Sequence, residues 1–132
     1  IARAIALNPK LIILDEPTAG LDPAGRDEIL GHIKRLHEER GTTVVLVSHN
    51  MVDVARLAGR VIVLHKGRIV LDGSPREVFS RTEDLRRIGL APPEMSDLVR
   101  KLRERGLDVR TDILTVEEAK AEILRVIRER RK

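Results

Sequence analysis

Two adjacent carboxylates, Asp15 and Glu16, close the apolar run Leu11-Ile12-Ile13-Leu14, and an imidazole, His49, follows the next apolar run, Thr43 to Val47. Neighbouring acids at a strand tip have separable jobs. One can hold a hydrated Mg²⁺, a hard ion that prefers carboxylate oxygens and keeps several waters, while the other orients or deprotonates an attacking water. Taken singly, the Asp-Glu pair reads as a surface acid or helix-side cap, and His49 as a satisfied polar residue. Their placement at the ends of successive strands joins them, because an open parallel sheet exposes its ligand edge at the carboxyl ends of its strands. His32, His37 and His65 have no such context and read as structural.

The elements that must position these groups alternate in the α/β manner. Ile1 to Leu7 is helix-compatible and stops at Asn8-Pro9, since the residue before proline is pushed out of the helical region. Leu11 to Leu14 reads as a short strand buried on both faces. Asp22 can cap the next helix, with Pro23 in its first turn, a stripe of Ile29, Leu30, Ile33 and Leu36, and Gly41 as its stop. A strand over Thr43 to Val47, a helix over Val52 to Ala58 and a strand over Val61 to Leu64 follow. Lys66-Gly67 then separates Val61 to Leu64 from Arg68 to Leu71 as in a hairpin. Beyond Gly73 the chain turns to short helices, opened by a capping box of Ser74 with Glu77. Pro92-Pro93 is a joint; Met95, Leu98, Val99 and Leu102 stripe one helix, and Thr115 with Glu118 opens another, striped by Val116, Ala119, Ile123, Val126 and Ile127.

The run Leu11-Ile12-Ile13-Leu14-Asp15-Glu16-Pro17-Thr18 resembles the Walker B segment of ATP-binding-cassette (ABC) ATPases. In the same order, Ala19-Gly20-Leu21-Asp22 is similar to their D-loop and Val47-Ser48-His49 to their switch-histidine segment. Arg60 to Val70, followed by Gly73-Ser74-Pro75, is similar to their closing hairpin. The resemblance implies an α/β fold: a partial P-loop NTPase parallel sheet with helices, lacking the phosphate-loop strand, plus a small helical C-terminal extension. It implies further that Asp15 ligates Mg²⁺ through water, that Glu16 is the general base, that His49 hydrogen-bonds the γ-phosphate of ATP, and that Asp22 links two sites across a nucleotide-sandwich dimer. Such chemistry fits phosphoryl transfer, where positioning and charge neutralisation outweigh covalent catalysis.

A phosphate loop of the form G-x-x-x-x-G-K-[ST], whose backbone N–H groups and lysine cradle phosphates, does not occur in the 132 residues. Nor do the family's adenine-stacking aromatic, its Q-loop or its LSGGQ signature, so the chain is expected to begin just after that signature. Residues 1–75 are then the C-terminal half of the nucleotide-binding domain, and 76–132 a helical accessory or dimerisation region. In the family the phosphate-loop strand lies between the strand before His49 and the one at Val61. Its loss leaves bare edges that template pairing with other chains, so this polypeptide alone is expected to oligomerise, aggregate or repack, and to be inactive and without tight ATP or Mg²⁺ binding.

Composition narrows the rest. Cysteine is absent, which removes disulfides and thiolate metal sites. No apolar run nears the roughly 20 residues of a membrane span, and the chain opens with Ile1, so it reads as soluble and as processed or cut. Charged residues make up 35% and Gln is missing, a balance that points to a thermophilic source. The formal charge of +4 does not mark a nucleic-acid binder, since acids and bases interleave and Phe79 is the only aromatic on which a base could stack. The basic surplus at Arg125, Arg128, Arg130, Arg131 and Lys132 reads as a solvated helix end.

The tail motifs Gly89 to Glu94, Arg103 to Leu107 and Leu114 to Glu118 resemble those of cobalt and energy-coupling-factor (ECF) type ATPases. That resemblance implies the ATP-hydrolysing subunit of an importer for cobalt, another metal ion or a vitamin, at the cytoplasmic face of the membrane. Its implied partners are a second ATPase subunit, a transmembrane coupling protein and a substrate-binding membrane component. The rival readings are a DNA-repair or chromosome-maintenance ATPase, disfavoured by Glu16-Pro17-Thr18 and the compact tail, and a non-catalytic oligomerisation fragment. The last helix's stripe docks internally or faces the same stripe of a partner.

Overall fold

The computed structural model describes residues 9–130. The helix expected over Ile1 to Leu7 and the basic residues Arg131 and Lys132 lie outside the described residues. The chain forms two compact units, one ending at Asp53 and the other starting at Val54.

In the first unit, β1 (Leu11–Asp15) pairs in parallel with β2 (Thr43–Val47), with Leu11 opposite Thr43 and Asp15 opposite Val47. Their connection is α1 (Pro23–Arg40), the helix crossover that a parallel pair requires. Asp22 caps α1 by accepting the Gly25 N–H at 2.9 Å. Gly41 ends it in the left-handed conformation, φ 64°, which glycine adopts without a Cβ penalty. Leu30, Ile33 and Leu36 of α1 are buried, as are Ile12 and Leu14 of β1.

One expectation is corrected here: β1 is covered on one face only. Its burial alternates along the strand, and Ile13 stays 65% exposed on the face opposite to Ile12 and Leu14. The cause is the pleat, which sends successive side chains to opposite faces. Helix α2 (Met51–Leu57) begins one residue earlier than its pattern suggested, because Asn50 caps it: Asn50 Oδ1 accepts the N–H groups of Val52 and Asp53.

The second unit opens with the antiparallel hairpin β3 (Val61–His65) and β4 (Arg68–Gly73). Lys66 and Gly67 both have positive φ, 49° and 74°, which is the turn whose twist matches that of the strands it joins. A bidentate Arg60–Asp72 pair at 2.8 and 2.7 Å fastens the open end. Next come α3 (Pro75–Ser80), carrying the complete Ser74–Glu77 capping box, and α4 (Thr82–Arg87), followed by α5 (Glu94–Glu104) and α6 (Val116–Arg130). Val99, Val109, Ile113, Ala119 and Val126 form a buried core between α5, the 105–115 loop and α6. The stripe on α6 is split: Ala119 and Val126 join this core, whereas Val116 and Ile127 remain exposed.

Candidate functional site

At the carboxyl end of the parallel pair the ladder continues one residue past β1, with the Glu16 N–H donating to the Val47 carbonyl at 2.8 Å. Glu16 itself has φ 44°. A left-handed conformation costs a residue with a side chain roughly 1–2 kcal/mol, and it survives only where the surroundings enforce it. Here those surroundings are the turn after β2. The His49 backbone N–H donates to Glu16 Oε1 at 2.8 Å, and the His49 ring Nδ1 lies 2.7 Å from the same oxygen. Ser48 Oγ donates to Glu16 Oε2 at 3.4 Å. The acid at the end of one strand and the imidazole beyond the next therefore meet directly.

Hydrogen bonds from His49 hold the Glu16 carboxyl below the usual glutamate range, so it is an acceptor at neutral pH. For Nδ1 to donate to a carboxylate it must carry the proton, which leaves Nε2 facing away from the pair. The ring is largely exposed, as a group that meets an incoming ligand must be.

Asp15 ends β1, exposed, and its side chain has no hydrogen-bond or ion-pair partner among the described residues. Among the described residues no group of three or more His, Cys, Asp or Glu side chains forms a ready metal cage. An exposed carboxylate at a strand end suits Mg²⁺, which is commonly held by one or two carboxylates together with water and substrate phosphates. Asp22 sits seven residues beyond Asp15, engaged as the α1 cap.

Behind Glu16 lies a contact that the sequence reading missed. Asp53 is 1% exposed and accepts from Thr18 Oγ1 at 3.0 Å through Oδ2, and from Arg26 Nε at 2.9 Å and Nη2 at 2.5 Å through Oδ1. Only the pattern Asn50-x-x-Asp53, an acid in the first turn after a capping Asn, signalled it, and that pattern predicts a helix start rather than a long-range partner.

Residues 2–54, the segment that contains Asp15, Glu16, Asp22, His49 and Asp53, match a family model described as "AAA domain, putative AbiEii toxin, Type IV TA system". Nearly the whole chain matches longer relatives. It is 53% identical over 126 residues to the energy-coupling factor transporter ATP-binding protein EcfA2 of Clostridium tetani, covering 96% of this chain and 44% of that protein. It is 51% identical over 118 residues to EcfA1 of Caldanaerobacter subterraneus, covering 89% of this chain and 42% of that one. By sequence, the chain matches a fragment of an energy-coupling factor transporter ATP-binding protein. The structure of cbiO1 from Clostridium perfringens, described as part of the ABC transporter complex cbiONQ, superposes with a TM-score of 0.56 at 37% identity, over 75% of this chain and 39% of that one. The fold is accordingly part of an ABC ATPase domain. The chain spans less than half the length of the curated relatives it matches.

Proposed function

We propose that this chain supplies the hydrolytic half of an ATP-binding subunit in an ABC importer of the ECF type, with residues 1–75 serving the nucleotide site and 76–132 an accessory or dimerising role. The observation that carries the reading is the direct Glu16–His49 contact at the carboxyl ends of two parallel strands, one residue from the exposed Asp15. ATP is the substrate, and the relatives' printed names as ATP-binding proteins support it.

Each side chain then has a task. Asp15 would hold Mg²⁺ through water, and that ion, when bound, neutralises charge on the phosphate oxygens. Glu16, kept ionised by its donors, orients the attacking water and accepts its proton. His49, held by Nδ1, presents Nε2 to the γ-phosphate. Asp22 would communicate with the second site of an ATPase dimer. A transmembrane coupling protein and a substrate-binding membrane component complete the assembly at the cytoplasmic face, and the cargo is cobalt, another metal ion or a vitamin. No helix among the described residues is long and apolar enough to cross a membrane, so the lipid-spanning part falls to those partners in this reading.

The test is Glu16→Gln in the complete ATP-binding protein that contains this sequence. Loss of a general base is expected to lower turnover roughly 100- to 10,000-fold while ATP stays bound. Turnover within about twofold of the parent would overturn the assignment.

A further inference from the structure

We infer that Asp53 is a positioning residue for the Glu16–His49 pair: it pins the loop after Glu16 to the turn that carries His49. Its catalytic meaning rests on the hydrolytic reading above, but its geometry does not.

A carboxylate this deeply buried must find donors, and Asp53 has three, from Thr18 and Arg26. Their placement is what matters. Glu16 contacts His49 and Ser48, and two residues later Thr18 contacts Asp53, so the segments 16–18 and 48–53 are cross-linked at two points. Within the second segment, the Asn50 N–H donates to Ser48 Oγ at 3.0 Å and Asn50 Oδ1 accepts the Asp53 N–H at 3.2 Å. Ser48, Asn50 and Asp53 are thereby one connected strip, and the hydroxyl that faces Glu16 belongs to it.

Glu16 needs such a hold. Its left-handed backbone is fixed on one side by the bond to the Val47 carbonyl, and Thr18 is the first side-chain anchor on the other. Arg26, one turn past the Asp22 cap, ties α1 to the same carboxylate, so a shift of α1 reaches the His49 turn through Asp53.

The two roles separate in amide hydrogen–deuterium exchange of the complete ATP-binding protein that contains this sequence, read by residue-resolved mass spectrometry without nucleotide. The variants are Asp53→Asn and, as the milder change, Thr18→Val. Positioning predicts that exchange at the His49 amide speeds up at least roughly tenfold, as expected of a local opening, while the Val45 and Leu46 amides of β2 change less than about twofold. Equal acceleration at all three amides would make Asp53 a stabiliser only and overturn the inference, as would an unchanged His49 amide in Thr18→Val even if Asp53→Asn fails to fold. An active Glu16→Gln enzyme would sink the hydrolytic reading and leave this result standing, so the two failures are distinguishable.

Discussion

Glu16 and His49, 33 positions apart, share one oxygen: Glu16 Oε1 takes both the backbone N–H and the ring Nδ1 of His49. The bidentate contact ties the protonation of the acid to the orientation of the imidazole.

Replacing His49 by Ala removes the ring donor, which is the largest cause of the lowered Glu16 pKa. The Glu16 carboxyl is expected to titrate at a higher pH in His49→Ala than in the parent, moving toward the ordinary value of about 4.3. Carboxyl carbon shifts followed by NMR between pH 2 and 7 measure it, and an unmoved midpoint would show that the ring does not hold the acid.

Where the local rules agree, the sequence was readable. Lys66-Gly67 between two β-rich runs became the hairpin turn, and both Ser74 with Glu77 and Thr115 with Glu118 became helix starts, because each depends on groups within four residues. The Asp15, Glu16 and His49 constellation was legible as strand ends. Thr18–Asp53 and Arg26–Asp53 were not, because contacts 35 and 27 residues apart leave no periodic trace. The one-sided burial of β1 was also hidden, since Leu11-Ile12-Ile13-Leu14 is apolar on both faces and pattern alone does not say which one is covered.

Asp22 carries two readings that substitution can part. Losing the bond to the Gly25 N–H in Asp22→Ala is expected to cost about 1 kcal/mol, measured by urea denaturation, whereas Asp22→Asn keeps a capping oxygen and costs only a few tenths. If Asp22 also links two ATP sites, turnover of the complete protein falls in both variants. Turnover that falls only with the cap would restrict Asp22 to capping.

ATP binding is expected to fail in this chain alone, because the phosphate-cradling motif does not occur in its sequence and Asp15 stands without a cage. Millimolar Mg²⁺–ATP should leave the melting temperature unchanged. A ligand that binds the folded state at 100 times its Kd would add about 2.7 kcal/mol, so even modest affinity is visible in that assay. A saturable upward shift contradicts the expectation.

Acid sensitivity of the second unit is expected to centre on Glu122. This side chain of α6 is 4% exposed, accepts the Arg110 N–H at 2.8 Å and pairs with Arg125 at 2.8 Å and Arg110 at 3.4 Å. The Arg125 hydrogen bond, with the Arg110 N–H second, holds its pKa down to about 2. A folded value below the unfolded one means that the unfolded state binds the proton more readily, so the stabilisation is fully present above about pH 4.3 and fades as pH falls toward 2. In Glu122→Gln that pH-dependent part disappears: the variant is less stable at pH 7, and the gap to the parent narrows between about pH 4.3 and 2. Urea midpoints across that range measure the gap, and a gap that stays constant would show that the Arg110 and Arg125 pairing contributes no linkage.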